Sequence, residues 1–126
     1  MRQILFRGFN RKNNKWLYGY YLINRGQHFI CPEGIQNPLA SWEDFVVEEE
    51  SVGQWTGRTD AKNKKVYEGD VVLGIEGRVK GMRKLVEWSD FASGFTIPVW
   101  CDIDDECCYV VIGNIYENKE LLEDEE

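Results

Sequence analysis

The sequence predicts a mainly β protein, a β-rich form of the α+β class. We expect an N-terminal hairpin packed on a partly open small barrel, with a short C-terminal helix. Short runs of aromatic and β-branched residues, which favour strands, alternate with turn residues. Glycines at positions 74, 77, 81 and 94 interrupt or bound these runs, as bends and bulges do in a curled sheet. Seventeen aromatic residues (five Trp, six Tyr and six Phe) indicate a packed core.

The length of 126 residues fits one domain that can bury a core without disulfides or metal. Within residues 1–126 we expect three regions. Residues 1–53 hold the N-terminal hairpin and a loop region, residues 54–116 form a β-barrel-like core, and residues 117–126 form a short helix and an acidic tail. No internal repeat separates these regions.

The first predicted hairpin joins strands at residues 3–9 and 15–23 through a polar turn at 10–14. Its second strand is apolar on both faces. Such a strand is either buried on both faces or packs one face on a partner chain, and the pattern favours the core interpretation. The residues on the two faces are Trp16, Tyr18, Tyr20 and Leu22 on one, and Leu17, Tyr21 and Ile23 on the other.

The segment after this hairpin combines glycines and prolines around a short predicted strand at residues 28–31, which indicates loops. Ser41 is positioned to cap one helical turn over residues 42–44. Residues 45–47 are also a strand candidate, so both interpretations stay open. The three glutamates at 48–50 indicate a solvent-exposed edge.

Residues 54–72 organise the chain: an aromatic anchor at Trp55, a polar turn, a strand, a tight turn and another strand. Asp60 and Asn63 are the residue types that bond their own backbone or adopt a left-handed φ where the chain reverses. Gly69 supplies the positive φ that the tight turn requires.

Four more strands are predicted at residues 70–75, 78–88, 95–100 and 107–112. The turn at 69–72 followed by the run at 86–88 is similar to the way SH3-like small barrels begin, so the C-terminal half is expected to curl into such a barrel. Asn118 is a good N-cap for a closing helix from Lys119 to about residue 123.

Three blocks of the sequence agree with one known pattern. They are Arg2–Phe9, the run from Thr56 through Asp60 and Asn63 to Tyr67-Glu68-Gly69-Asp70-Val71-Val72, and Ile112–Leu122. In this order they resemble the YopX family, small proteins of bacteriophages and prophages. Lys64 and Lys119 depart from the pattern, which usually has glycine and proline there. The resemblance implies a phage or prophage setting and no established activity.

The net charge of −7 is concentrated at one end of the chain. Residues 117–126 hold six acids and one lysine, which leaves the rest near −2. Phosphate contacts dominate nucleic-acid affinity, so this balance argues against indiscriminate nucleic-acid binding. No apolar run approaches the roughly 20 residues of a membrane span. No signal-peptide core follows the N-terminus, so we expect a cytoplasmic protein in a bacterial host cell.

Residues suited to catalysis or metal binding are few or poorly spaced. His28 is the only histidine, which argues against a histidine-based triad. Carboxylates at 102–106 lack the glycine and spacing of a calcium loop and indicate a solvated hairpin tip. Four cysteines lack the paired short spacing of zinc sites. We therefore expect no catalytic residue, no metal, no cofactor and no enzymatic activity. The cysteines are Cys31, Cys101, Cys107 and Cys108.

The favoured function is protein–protein interaction, including self-association and contact with an unidentified phage or host protein. Aromatic residues are enriched at interfaces, and the predicted interface comprises Trp16, Tyr18, Tyr20, Tyr21, Leu121 and Leu122. The alternative is nucleic-acid binding by cations beside aromatic rings of a small barrel. Its predicted contacts are Arg78, Lys80, Arg83 and Lys84, although a charge-protected strand edge is the preferred interpretation of that run.

Overall fold

The computed structural model describes residues 4–35, 38–76, 80–89, 94–95, 109–118 and 120, and they form a mainly β protein, as predicted. Two 3₁₀ segments, Pro38–Asp44 and Glu49–Ser51, flank β4. No helix in the described part of the chain is long and apolar enough to cross a membrane. The described strands are β1 (Phe6–Asn10), β2 (Lys15–Asn24), β3 (Gln27–Cys31), β4 (Val46–Val47), β5 (Gly53–Thr59), β6 (Lys65–Tyr67), β7 (Asp70–Gly74), β8 (Arg83–Leu85), β9 (Trp88–Ser89), β10 (Gly94–Phe95) and β11 (Tyr109–Asn114).

The chain divides into two compact units, Met1–Trp55 and Thr56–Glu126, and the boundary falls inside β5. The described residues form antiparallel sheets in both units. The single domain and the SH3-like closure of its second half stay predictions.

The first unit is an antiparallel sheet in the order β4-β3-β2-β1, with the start of β5 paired to β1. Strand β2 has ten residues, twice the length of β1 or β3. Residues 15–19 of β2 pair with β1, and residues 20–24 pair with β3. The pairing changes at Gly19, where a Cβ atom would lie 2.2 Å from the carbonyl oxygen of Cys31. Only glycine permits this close approach of the two backbones.

The core of the first unit lies on one face of this sheet. Gly8 marks how tightly the sheet curls: a Cβ there would lie 2.8 Å from Cγ2 of Val47 and 3.0 Å from Cγ1 of Ile30. A side chain at position 8 would therefore displace the residues that fill the core. The buried members of this core are Leu17, Ile30 and Val47, packed by the partly buried Phe6, Tyr21, Phe45 and Val52.

Asn10 links the first hairpin to the segment before β4. Its Oδ1 atom accepts a hydrogen bond from the backbone amide of Asn13 at 2.7 Å, which closes the β1–β2 turn. Its Nδ2 atom donates to the carbonyl oxygens of Glu43 and Val46 at 3.1 and 2.8 Å. Asn10 has no solvent-exposed surface, and these bonds satisfy its buried polar atoms.

The second unit contains a three-stranded sheet in the order β11-β7-β8, a β9–β10 pair, and β6 beside β5. Its described core is a cluster of buried Val66, Val72, Val86 and Tyr109, with Val111 packed against it. A fully buried valine contributes roughly 1.5–3 kcal/mol to folding. This small apolar cluster therefore stabilises the second unit.

The predicted turns of the second unit are confirmed. Oδ1 of Asp60 accepts hydrogen bonds from the backbone amides of Lys62 and Lys64 at 2.8 and 2.9 Å. Asn63 adopts a left-handed φ of 67°, so this reversal forms with a lysine at position 64. Gly69 has a φ of 95° in the turn between β6 and β7, as expected.

Several predicted elements need correction. The sequence predicts an anchor and a polar turn at residues 54–59, but this segment lies in strand β5. The sequence of β5 lacks the alternation of apolar and polar residues that indicates a strand. In the structure only Gly53 and Thr56 of β5 are buried. The first strand begins at Phe6 rather than at residue 3. The predicted strand at 78–88 contains two strands in its described part, β8 and β9, and the strand predicted at 107–112 is described as β11, which extends to Asn114.

Both open interpretations of residues 41–47 contain part of the answer. Ser41 has non-helical backbone angles inside the first 3₁₀ segment and precedes a single turn in which the Phe45 amide donates to the Trp42 carbonyl. The strand alternative is also correct, because Val46–Val47 is β4. At the C-terminal end Glu120 is helical. Oδ1 of Asn118 accepts from the backbone amide of Asn114 at 3.3 Å, and the rest of the predicted helix lies outside the described residues.

Candidate interaction surface

An exposed apolar face of the first unit runs along β2. Tyr18, Tyr20 and Leu22 point to the same side of the strand and expose 50%, 53% and 37% of their surface. The opposite side contributes Leu17 and Tyr21 to the core. The prediction that both faces of β2 are buried is therefore wrong within one chain, because Tyr18, Tyr20 and Leu22 stay exposed. We call the exposed side, made of Tyr18, Tyr20 and Leu22, the β2 stripe.

Trp16 anchors the start of the β2 stripe and is half-buried. Its ring meets the ring of Phe9 edge to face, with 5.4 Å between centroids. The Arg7 guanidinium carbon lies 4.9 Å from the centroid of the same Trp16 ring, a cation–π contact. These contacts fix the orientation of one end of the stripe on β1.

Tyr21, also predicted as an interface residue, lies on the core face of β2. Its ring centroid is 5.2 Å from that of Phe6. The Tyr21 hydroxyl and Nδ1 of His28 share a hydrogen bond of 2.6 Å. On the other side of the ring, Nε2 of His28 is 3.7 Å from Oε1 of Glu49. Tyrosine, histidine and glutamate thus form one polar chain.

The electrostatics of this polar chain favour the protonated form of the Tyr21 hydroxyl. Burial raises the pKa of Tyr21 above its ordinary value, and the negative charge of Glu49 raises it further. The hydroxyl therefore stays protonated at neutral pH, and its hydrogen bond to His28 holds the Tyr21 ring against the core.

A cleft of about 340 Å³ opens beside the far end of the β2 stripe. Leu22 stands directly opposite Phe29 across the β2–β3 pair, and Asn24 opposite Gln27, so each pair shares a face of the sheet. Phe29 is 2% exposed and forms an apolar wall, while Trp42 is 42% exposed. The described residues that line the cleft are Asn24, Arg25, Gln27, Phe29 and Trp42.

The structure separates the cations of the predicted nucleic-acid site. Lys80 is exposed in the segment before β8. Arg83 and Lys84 are consecutive in β8, paired with Leu73 and Val72, so their side chains leave opposite faces of that strand. The described cations therefore do not form a single flat surface. Arg78 lies outside the described residues, as do the predicted interface residues Leu121 and Leu122.

Two buried carboxylates of the signature run hold the backbone. Oδ2 of Asp60 accepts from the amide of Val111 at 2.8 Å, and Oδ2 of Asp70 accepts from the amide of Tyr67 at 2.8 Å. Asp60 and Asp70 are 4% and 1% exposed. Their carboxylates accept backbone hydrogen bonds, so their role in the described structure is to fix turns and strands.

Within the described residues, no group of three histidine, cysteine or acidic side chains is placed to hold a metal ion. Cys31 is a half-buried free thiol whose Sγ atom is 3.5 Å from the Ile35 carbonyl oxygen. Cys101, Cys107 and Cys108 and the carboxylates at 102–106 lie outside the described residues. The absence of a metal and of a cofactor stays a prediction.

The model of one protein family, described as YopX protein, matches residues 5–123. The chain belongs to the YopX family. No curated protein matches the sequence. A solved structure, the crystal structure of protein EF1440 from Enterococcus faecalis, has a fold similar to this YopX chain, with a TM-score of 0.59 and 18% sequence identity. The similarity covers 95% of this chain and 98% of the other.

Two residues of this YopX chain are identified as candidate site residues only by the structure. Arg25 and Trp42 are 17 positions apart in the sequence, and the fold brings them to the same cleft. A signal for Arg25 was available, because a two-residue Arg-Gly connection between strands departs from the usual Asn-Gly or Asp-Gly. Trp42 carried no comparable signal, since its position depends on where the 3₁₀ segment lies.

Proposed function

We propose that this YopX-family protein is a non-catalytic phage or prophage accessory protein that acts through protein–protein contacts and associates with a second copy of itself. The β2 stripe carries the proposal: Tyr18, Tyr20 and Leu22 stay exposed on a strand that has strands on both of its sides. Tyrosine provides large contact area with few rotatable bonds, so it is well suited to interfaces.

The spacing of the stripe suits a symmetric contact. Residues two apart in a strand lie roughly 6.5–7 Å apart on one face. If two stripes meet about a two-fold axis at Tyr20, then Tyr18 of one protomer faces Leu22 of its partner. The first unit contains six basic and six acidic residues in positions 1–55, so its formal charge is zero. Two first units can therefore approach without net repulsion.

The mass of the protein in solution tests this proposal. Light scattering at tens of micromolar should give twice the chain mass of 14.8 kDa. Tyr20→Lys places a charge at the centre of the contact and should shift the mass to that of a monomer. Met82→Lys is the matched control, because Met82 is 47% exposed in the second unit. A wild-type monomer, or a Tyr20→Lys dimer, would contradict the proposal.

A further inference from the structure

The cleft at the end of the β2 stripe combines an apolar wall, a cation and two amides. Phe29 forms the wall, Trp42 offers an exposed indole, and Arg25 lies at the rim with Asn24 and Gln27. Its volume of about 340 Å³ falls in the range of roughly 300–1,000 Å³ that is typical of ligand sites. This combination suits an apolar side chain that is followed by a carboxylate.

The backbone of Arg25 indicates that its side chain matters for more than the turn. Arg25 and Gly26 form the two-residue connection between β2 and β3, with φ angles of 54° and 79°. Left-handed φ at both positions defines a type I′ turn, where asparagine, aspartate or glycine is favoured at the first. Arginine is a poor choice for this conformation, and such strain is concentrated at functional sites.

The two acids that follow Trp42 in the chain are held by another cation. Glu43 and Asp44 follow Trp42, and Nζ of Lys12 lies 3.4 Å from Oε1 of Glu43 and 3.2 Å from Oδ1 of Asp44. The pKa of Asp44 is lowered by hydrogen bonds from Asn13 and Lys12 and by the charge of Lys12. Their charge is thus partly balanced on the Lys12 side, and Arg25 remains the cation of the cleft.

We propose that this cleft binds the acidic segment at residues 119–126 of a second copy of the chain. A leucine side chain of Leu121 or Leu122 would pack on the exposed Trp42 indole, beside the buried Phe29, and a carboxylate of the segment would bind Arg25. This rests on the proposed self-association, because the cleft and the β2 stripe share one face of the sheet. The cleft proposal adds to the proposed self-association which segment is bound and which residue, Arg25, selects it.

Charge complementarity favours this occupant. Leu121 and Leu122 are followed by four consecutive acids, Glu123, Asp124, Glu125 and Glu126. Apolar residues also precede acids at residues 45–50 and 99–106, but the acids at 123–126 form the longest uninterrupted acidic run of the chain, and the valines of the 45–50 run belong to β4. Carboxylate–arginine hydrogen bonds are the stronger kind, so one such contact can decide selectivity.

A labelled peptide tests the proposal directly. The probe is a synthetic peptide of residues 119–126 with a fluorescein label and an amidated end, and fluorescence anisotropy reports its binding. The receptor is the full chain carrying Leu121→Ser and Leu122→Ser, so that its own segment does not compete. We expect saturable binding that weakens with salt. A peptide with both leucines replaced by serine should bind at least about tenfold more weakly.

Variants at Arg25 separate binding from folding. Arg25→Asn in this receptor suits the type I′ turn and removes the cation, so the melting temperature should hold or rise while peptide affinity falls at least about tenfold. Arg25→Glu should reject the acidic peptide and bind a version in which residues 123–126 are lysines. No binding to the receptor, or unchanged affinity in Arg25→Asn, would overturn the proposal.

The outcomes also distinguish this inference from the proposed function. If the wild type is a dimer that Tyr20→Lys dissociates, and the peptide does not bind, the cleft proposal fails and the self-association through the stripe stands. If the peptide binds with the expected Arg25 dependence and Tyr20→Lys leaves the wild-type dimer intact, the stripe contact fails and the cleft proposal stands.

Discussion

The carboxylate of Asp60 accepts a hydrogen bond from the backbone amide of Val111 at 2.8 Å, across 51 residues of chain. Its other oxygen holds the turn amides of Lys62 and Lys64. One buried side chain thus closes a local turn and positions β11. Asp60 is part of the Thr56–Val72 run that resembles the YopX family. This double role gives a structural reason for an aspartate at that position.

Replacing Asp60 with alanine should destabilise the protein by about 1–3 kcal/mol. The part-buried amides of Lys62, Lys64 and Val111 would lose their acceptor, and water can reach the exposed residues Lys62 and Lys64, so their amides cost less than fully buried donors. Urea denaturation measures the loss. Asp60→Asn keeps one carbonyl acceptor and should cost less than alanine. Equal stability of the alanine variant and the wild type would show that water replaces the carboxylate at no cost.

Replacing Gly8 with alanine should destabilise the first unit by about 1–3 kcal/mol, because the new methyl group overlaps Val47 and Ile30. Val47→Ala removes Cγ2 of Val47, the atom nearest to the new methyl group, and so leaves space for that group. The double variant should therefore lose less stability than the sum of the two single variants, as a double-mutant cycle measures. Strict additivity would show that the backbone moves instead.

Replacing Arg25 with asparagine in the otherwise unchanged chain should raise the free energy of unfolding by about 0.5–1 kcal/mol. Arginine pays a conformational cost at a φ of 54°, and asparagine tolerates this region. Chemical denaturation monitored by tryptophan fluorescence gives the value. Arg25→Val is the opposite control, since a β-branched residue should be clearly destabilising there. A lower stability for asparagine would contradict the type I′ assignment.

Replacing Tyr21 with phenylalanine should change how stability depends on alkaline pH. The pKa of Tyr21 is higher in the folded protein than its ordinary value of about 10. Above that value the unfolded chain releases the proton first, so the free energy of unfolding falls as pH rises through the folded pKa. The variant lacks this component and should lose stability less steeply between pH 9 and 11.

The same variant has a neutral-pH effect that serves as its internal control. Tyr21→Phe removes the 2.6 Å hydrogen bond to His28, which should cost about 1 kcal/mol at pH 7. Denaturation curves at several pH values give both effects. Parallel curves for the variant and the wild type would show that Tyr21 does not titrate differently on folding.

The sequence by itself determined the β class and the turns, because these depend on local chemistry. The turns can be predicted from side chains and φ preferences that act within a few residues, as at Asp60, Asn63 and Gly69. The family resemblance came from the same local signals. A polar strand such as β5 was missed because its pairing, and not its own pattern, makes it a strand.

The tertiary structure decided which apolar residues are core and which are surface. A strand that is apolar on both sides does not reveal which side will be covered, because the covering residues come from distant parts of the chain. Gly8, Ile30 and Val47 meet on one side of β2, so Tyr21 is partly buried there while Tyr20 on the other side is exposed. The cleft likewise exists only because the fold brings Trp42 beside the β2–β3 turn. Burial depends on contacts between residues that are distant in the sequence, so the candidate surface could be located only from the tertiary structure.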